Sequence, residues 1–252
     1  MHTSEMNFPV DLIIKMVHCV EDAVGDGIRE DIQRNDLRTR NSVPSRIWDL
    51  MNTNFDKTLE TRDCTVATAY RGPWEMVIIF EKTTKCIFTF MREKRFSELY
   101  RKQRSRMHMH YIDMLTAQFN KALLADQQQL TLLPHHFVDE ERLAELVQDM
   151  LHDLGSDVSV VRHHVLVLFD TTGYQLTHIR AIMVTPNLDV AQGCEQDWTK
   201  YITIGESSVV EKVEHPESPA NNPNRGLKLK PKAAERKKNK PQRRKDEQSD
   251  KK

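Results

Sequence analysis

The strongest constraint on the fold of this chain is the order of its segments, because a helical stretch followed by strand-forming stretches occurs twice. Residues 7–24 and 42–60 carry apolar side chains at helical spacing, and Pro9 and Pro44 suit first-turn positions. Residues 64–92 are instead rich in β-branched and aromatic side chains. This change of pattern predicts helices that pack on a sheet.

The first strand-forming stretch divides into three segments separated by "RGP" and "KTT". Turn residues between short apolar runs predict an antiparallel meander. Its segments are "CTVATAY" at 64–70, "WEMVIIFE" at 74–81 and "KCIFTFMR" at 85–92.

The second half of the chain has the same order. We expect one helix over residues 96–124 and another over 139–155, with Asp139 as N-cap and Gly155 as C-cap. Two strands follow at 158–170 and 174–185, joined by the hairpin signal "TTG", with a short closing strand or turn at 197–204.

These patterns predict an α+β protein with helices packed on antiparallel meander and hairpin sheets. We expect one α+β domain over residues 1–204, with a possible subdivision near the linker at 126–138. From residue 205 the composition shifts to Glu, Ser, Pro, Asn and Lys, which cannot bury enough apolar surface to fold. Residues 205–252 are therefore expected to form a disordered basic tail.

The formal net charge of zero hides an asymmetry along the chain. Residues 225–252 contain 13 Lys/Arg against 4 Asp/Glu, whereas the remaining 224 residues contain 24 against 33. An acidic body thus carries a basic tail, which favours either a polyanionic partner or a simple solubilising role.

Several functional classes find no support in the sequence. The four cysteines are too widely spaced for a zinc or disulfide framework, and no Walker loop or G-x-G-x-x-G is present. No apolar run approaches the roughly 18 residues of a membrane span. The first residues also lack a signal-peptide pattern, so we expect a cytoplasmic protein without a cofactor or membrane partner.

Metal sites and metal-dependent nuclease chemistry are weaker alternatives. His110 and Asp113 share a helix face, but two candidate ligands are common by chance. A nuclease needs two or three carboxylates and a lysine that converge on strand ends. The meander supplies such residues without an E-x-K or D-x-K spacing, namely Asp63, Glu75, Glu81 and Lys82. An enzyme is therefore the less favoured interpretation.

Two basic segments are candidates for nucleic-acid contact, because clustered cations release counterions from phosphates. The alternative for both is a solvated surface. The first segment, "REKRFSELYRKQRSR", contributes Arg92, Lys94, Arg95, Arg101, Lys102, Arg104 and Arg106. The tail contributes Arg236, Lys237, Lys238, Arg243 and Arg244.

The linker contains the pentamer "QLTLL", which resembles the short peptides by which bacterial replication and repair proteins dock on the DNA sliding clamp. Gln129, Leu130, Leu132 and Leu133 match that pattern. The clamp offers an apolar pocket for the last two side chains, and the glutamine amide can donate and accept hydrogen bonds at its mouth. The alternative is that these leucines pack on the neighbouring helices.

Residues 46–202 also resemble a family of bacterial proteins without an assigned activity. The resemblance lies in "RIWDLMNTNF", "RGPWEMVIIFEKTTKCIFTFMREKR", "HYIDMLTAQFN" and "EQDWTKYI". It implies a bacterial or phage origin and transfers no catalytic residue.

The leading hypothesis from the sequence is a non-enzymatic protein that docks on the bacterial sliding clamp through residues 129–133. The expected consequence is toxin-like inhibition of DNA replication, with an antitoxin as a possible partner, or recruitment to DNA. The first alternative is a nucleic-acid-binding protein that uses the basic helix and tail without the clamp. The second alternative is the metal-dependent nuclease.

Overall fold

The computed structural model describes residues 6–71, 74–106, 108–124 and 139–203, with the backbone alone described at Arg71, Arg104 and Ser156. Within these ranges a six-stranded sheet lies between two layers of helices. The ranges belong to one compact unit, Met1–Ile204. None of the described helices has the length and apolarity to cross a membrane.

The first layer consists of the helices that precede the sheet in the chain: α1 (Val10–Val24), α2 (Asp26–Arg34) and α3 (Val43–Leu59). Pro44 lies in the first turn of α3, as its fixed φ angle favours. The buried faces of α1 and α3 carry the predicted apolar side chains and pack on one face of the sheet. The two predicted helices are therefore confirmed, and α2 is added.

The sheet has the strand order β1-β2-β3-β4-β5-β6. Its strands are β1 (Cys64–Arg71), β2 (Trp74–Glu81), β3 (Cys86–Arg92), β4 (His163–Thr172), β5 (Gln175–Val184) and β6 (Val190–Asp197). All neighbours are antiparallel except β3 and β4, which are parallel. Two antiparallel meanders thus join edge to edge, which confirms the α+β class and adds one parallel junction.

The second layer lies in the crossover between β3 and β4. It contains α4 (Glu93–Lys102), α5 (Tyr111–Phe119) and α6 (Glu140–Met150). Because helices cover both faces, β3 and β4 are buried on both sides, which explains their continuous apolar runs.

Alternate side chains of the central strands fill the two cores. Ile79, Phe88 and Val165 face the first layer, whereas Ile87 and Leu166 face the second. Each fully buried aliphatic or aromatic side chain contributes about 1.5–3 kcal/mol of burial free energy. The sheet therefore acts as the common wall of both cores.

Three predicted elements in the second half need correction. The helix expected over 96–124 is interrupted, because α4 ends at Lys102 and a new helix starts at Tyr111. The helix that starts after Asp139 ends at Met150, so Gly155 is not its C-cap; a 3₁₀ segment follows over His152–Val160. That segment delays the strand expected from residue 158 until His163.

The last strand was not predicted. β6 pairs with β5 at Val190–Asp197, and the residues expected as a closing strand or turn form a 3₁₀ turn at Thr199–Tyr201. The predicted hairpin between β4 and β5 is confirmed, and Gly173 occupies a positive φ of 60° in its turn.

Candidate functional site

The two neighbours of β3 pair with it over very different lengths. β4 pairs with β3 over all seven residues from Cys86 to Arg92. β2 pairs with β3 only at Ile79–Glu81 and Cys86–Phe88, although β2 pairs with β1 along its whole length. The β1–β2 ribbon therefore separates from β3 beyond Ile79, and a gap opens between residues 74–77 and 89–92.

A cavity of about 350 Å³ occupies this gap. We call it the β2–β3 cavity. It lies at the carboxyl end of the parallel pair β3–β4, where binding sites of open α/β sheets commonly lie. Its lining comprises Trp48, Asn52 and Phe55 of α3, Trp74, Glu75, Met76 and Val77 of β2, Thr89, Phe90, Met91 and Arg92 of β3, Arg95 of α4, and His110 and Tyr111 at the start of α5.

Arg92 is fixed at the end of β3 by two contacts. Its guanidinium donates a hydrogen bond to Thr171 Oγ1 at 2.9 Å and lies 5.5 Å from the centre of the Phe169 ring. Trp48 contacts the same Phe169 ring edge to face at 5.7 Å. Through Phe169, these contacts position the guanidinium of Arg92 and the indole of Trp48 at the cavity.

The charge of Arg92 is only partly balanced by the protein. Partial burial lowers the pKa of its guanidinium, while the nearby Asp170 raises it. Within the described part of the chain Arg92 forms no ion pair with a carboxylate. Since a guanidinium has five N–H donors, Arg92 retains hydrogen-bonding capacity for an anion in the cavity.

The first turn of α4 adds positive potential at the same place. Arg92 is the N-cap residue of this ten-residue helix, and its side chain forms no capping hydrogen bond. The negative charge of Glu93 is already paired, because Arg180 donates hydrogen bonds from Nε and Nη2 to its carboxylate. Glu93 therefore offsets the positive potential of the helix start only in part. The start of α4 and Arg92 therefore favour an anion together.

The other basic residues of the predicted segment differ in their environment: those of α4 are exposed to solvent, whereas Arg106 is paired with a buried carboxylate. Lys94, Arg95, Arg101 and Lys102 are exposed on α4, and Arg95 lies 3.3 Å from Glu98. Arg106 instead forms a bidentate ion pair with the buried Asp113, at 2.6 and 2.8 Å. The charge of Arg106 is thus used inside the fold, and the side chain of Arg104 is not described.

His110 and Asp113 serve the start of α5. The His110 side chain accepts from the Ile112 N–H at 3.4 Å, while Asp113 accepts from the His110 N–H at 2.7 Å. This reciprocal pair is a capping box. Their shared helix face therefore reflects a structural role in the protein.

The acidic residues considered for a nuclease lie at different ends of the sheet. Glu81 is 2% exposed and accepts hydrogen bonds from the Thr83 and Thr84 N–H groups at 2.8 and 2.6 Å in the turn after β2. Burial raises the pKa of Glu81, but the hydrogen bonds from the Thr84 hydroxyl and from these N–H groups outweigh burial and lower the pKa below its usual range. Asp63 and Lys82 lie beside that turn, where the Lys82 N–H bonds the Asp63 carbonyl.

Glu75 lies at the opposite end of β2, on the cavity wall. The structure does not bring it together with the other three. Among the described residues no group of three or more His, Cys, Asp or Glu is arranged to hold a metal ion.

Residues 129–133 and the tail residues lie outside the described ranges. The structure thus gives no geometry for Gln129, Leu130, Leu132 and Leu133, nor for Arg236, Lys237, Lys238, Arg243 and Arg244.

The sequence interpretation missed the aromatic part of the site. Trp74 is 54% exposed, although tryptophan is a large apolar residue, whereas Trp198 is 1% exposed. A tryptophan directly after the turn residues "RGP", at the start of an otherwise apolar strand, was the signal that could have drawn attention to it.

Comparison with known proteins places the chain in a family without assigning an activity. The family model described as "Family of unknown function (DUF5986)" matches residues 5–246, and the chain belongs to this family. The resemblance to a family without an assigned activity is therefore confirmed, over a longer range than expected. No curated protein and no solved structure matches the chain.

Proposed function

We propose that this member of the family of unknown function (DUF5986) binds nucleic acid without transforming it, through the β2–β3 cavity and the exposed basic residues of α4. The observation that carries the proposal is Arg92, a half-buried cation that is fixed at a cavity without a carboxylate partner in the described structure. Phosphate groups are the anions that such a fork of N–H donors binds well.

The surroundings of Arg92 support a polyanion over a small isolated anion. Lys94, Arg101 and Lys102 extend the positive surface along α4, away from the cavity. Basic side chains along one helix can contact successive phosphates of a strand. The exposed indole of Trp74 at the cavity adds a surface on which bases stack.

The small number of carboxylates in the cavity favours binding over catalysis. Glu75 is the one carboxylate among the described residues that line it. Metal-assisted cleavage of a phosphodiester uses several carboxylates around one or two cations. The nuclease alternative therefore has less support than binding.

The test compares two charge-matched triple variants of the full chain. Lys94→Gln/Arg101→Gln/Lys102→Gln removes three of the four basic residues of α4, and Lys15→Gln/Arg38→Gln/Lys57→Gln removes three exposed cations of the first half of the chain. Affinity for a fluorescent single-stranded and a duplex DNA is measured across a salt series. Each lost phosphate contact should reduce the slope of log K against log salt by about 0.7–0.9.

We expect the α4 variant to lose affinity and salt dependence, and the control variant to keep both. Equal losses in the two variants would indicate a general charge effect and contradict a binding surface on α4. An affinity that does not depend on salt would contradict phosphate contact altogether.

We also propose that residues 129–133 dock the protein on the bacterial DNA sliding clamp. The proposal rests on the match of Gln129, Leu130, Leu132 and Leu133 to clamp-binding peptides, in a segment that connects Leu124 to Asp139. Docking would bring the basic residues near the DNA that the clamp encircles. Toxin-like interference with replication, opposed by an antitoxin, or recruitment to DNA would follow.

Clamp docking is tested by binding of the full chain to a purified bacterial sliding clamp. Gln129→Ala/Leu132→Ala removes two of the four pattern positions, and Gln127→Ala/Gln128→Ala changes neighbours outside the pattern. We expect micromolar binding that only the first double variant loses. Absence of binding, or equal binding by both variants, would remove the clamp from the proposed function.

A further inference from the structure

We propose that the β2–β3 cavity holds a single unpaired nucleotide, with its phosphate at Arg92 and its base against Trp74. The nucleotide comes either from a nucleic-acid strand or from a free mononucleotide. Only the strand as its source rests on the proposed nucleic-acid binding.

The size of the cavity limits the ligand to one unit. Its volume of about 350 Å³ lies at the lower end of the range of small-molecule pockets, roughly 300–1,000 Å³. The walls come from both faces of the sheet, since Trp48 belongs to the first helical layer and Tyr111 to the second. A base that has left its stack can enter such a gap, whereas an intact duplex cannot.

The phosphate end is defined by Arg92 and the first turn of α4. The guanidinium is already immobilised by Phe169 and Thr171, so little side-chain entropy remains to be lost on binding. The α4 N-terminus lies next to it in sequence, and Arg92 as N-cap residue forms no capping hydrogen bond with its side chain. Arg95, in the first turn of α4, adds a second cation to the cavity wall.

The base end is defined by the side chains on β2 and α3. Trp74 offers an exposed indole face, and Asn52 provides an amide that can both donate and accept hydrogen bonds. Glu75 repels a phosphate and accepts hydrogen bonds from amino groups of bases. The distribution of charge therefore orients the ligand with its phosphate toward Arg92 and its base toward β2.

The test titrates the full chain with 5′-AMP, adenosine, ribose 5-phosphate and a single-stranded oligodeoxyadenylate, and measures affinity by isothermal titration calorimetry beside the intrinsic tryptophan fluorescence. Of the three tryptophans, Trp198 is buried and serves as an internal constant. Trp74→Leu removes the proposed stacking surface, and Tyr100→Leu changes another exposed aromatic side chain that does not line the cavity.

We expect 5′-AMP to quench the fluorescence and the two truncated ligands to bind at least tenfold more weakly. Trp74→Leu should weaken binding of the base-containing ligands by about 5- to 150-fold, the effect of one base–aromatic stack. Tyr100→Leu should bind like the wild type. Because Trp74 is exposed, its replacement should leave the fold intact, and a thermal melt of each variant checks this.

The outcomes separate this inference from the proposed function. Calorimetric binding of 5′-AMP that Trp74→Leu weakens and Tyr100→Leu does not, without binding of the oligonucleotide, would support a nucleotide cavity and overturn the nucleic-acid function. Salt-dependent oligonucleotide binding that neither quenches tryptophan nor responds to Trp74→Leu would overturn the cavity inference and leave the function standing. Absence of binding by every ligand would overturn both.

Discussion

The two edges of β3 show how one strand can serve stability on one side and binding on the other. Toward β4 the ladder is complete, and the buried side chains of Thr89, His164 and Asn120 beside it form hydrogen bonds within the protein. Toward β2 the ladder stops after Phe88, and the cavity lies between residues 74–77 and 89–92, with Trp74 and Glu75 exposed on its β2 side. The closed edge thus fixes the position of Arg92, and the open edge presents it to a ligand.

The comparison predicts that substitutions at the closed edge reduce stability, whereas substitutions at the open edge reduce binding. Urea denaturation measures the free energy of unfolding of every variant, so the effects of all the substitutions on stability can be compared. The expected loss in the free energy of unfolding is largest for the substitution of Asn120 and smallest for that of Trp74.

Replacement of Asn120 should have the largest effect. Its buried amide donates to the carbonyls of His164 and Val184 and accepts from the His164 N–H, each at 2.9 Å, which ties β4 to β5. Asn120→Ala leaves these backbone groups without partners, so we expect a loss of about 3–5 kcal/mol.

Asn54→Ala is the control, because Asn54 is only half-buried and its amide donates to the Asp22 carboxylate at the surface and, at 3.3 Å, to the Cys19 carbonyl. We expect a loss of about 1 kcal/mol or less there. Similar losses at both positions would contradict a special role for the closed edge.

His164 should make stability depend on pH. Complete burial lowers the pKa of this imidazole to about 3, and its Nε2 lies 2.8 Å from Thr89 Oγ1. Because the folded protein holds His164 neutral, its contribution is present above the ordinary value of 6.5 and is lost as the pH falls toward 3. The slope reaches at most about 1.4 kcal/mol per pH unit.

His164→Gln should remove this part of the pH dependence between pH 6.5 and 4.5, whereas His108→Gln, at an exposed position, should keep it. An unchanged slope in His164→Gln would contradict the assignment to His164.

Glu81 should give an intermediate effect at the turn that holds β2 and β3 together. Its carboxylate accepts hydrogen bonds from Thr83 and Thr84, so Glu81→Gln should cost about 1–2 kcal/mol at pH 7. Because the pKa of Glu81 is lowered in the folded protein, its carboxylate stabilises the fold fully at pH values above the ordinary pKa of 4.5. This stabilisation should shrink as the pH falls below this value.

Glu75→Gln, at the other end of the same strand, is the control and should leave stability within about 0.5 kcal/mol of the wild type. Equal costs at both ends of β2 would contradict the distinction between the turn and the cavity.

Trp74→Leu should have the smallest effect on stability, within about 0.5 kcal/mol, because the side chain is largely exposed. Urea denaturation beside the binding titration tests this directly. A loss above about 2 kcal/mol would show that Trp74 supports the fold rather than an open site.

The fold was predictable where local pattern and final environment agree. The bounds of β1 to β3 follow from β-branched and aromatic runs between turn residues, and α1 and α3 follow from their apolar spacing. β6 was not predictable in this way, because "VAQGCEQD" is polar and contains Gly193, and pairing with β5 decides its conformation.

The break in the helix expected over residues 96–124 also depends on specific partners. The ion pair of Arg106 with Asp113 and the cap at His110 define the start of α5, while the apolar spacing alone suggests continuation. A histidine N-cap is not among the usual capping residues, so the sequence carries only a weak signal.

The candidate site was predictable only in part. The basic residues of α4 stand out in the sequence, but the cavity results from the parallel β3–β4 pairing and the early end of the β2–β3 ladder. Both are long-range properties of the fold. The convergence of Arg92 with Trp48 and Trp74 therefore appears only in three dimensions.

Hydrogen exchange of the full chain, with and without a single-stranded DNA of about a dozen nucleotides, identifies the segments that the strand covers. We expect added protection at the open edge, in residues 74–77 and 89–92, together with the first turn of α4. Residues 163–169 at the closed edge should exchange slowly in both states, because their ladder is already complete. DNA binding that protects other segments and leaves residues 74–77 and 89–92 unchanged would contradict the claim that the open edge of β3 is the binding site.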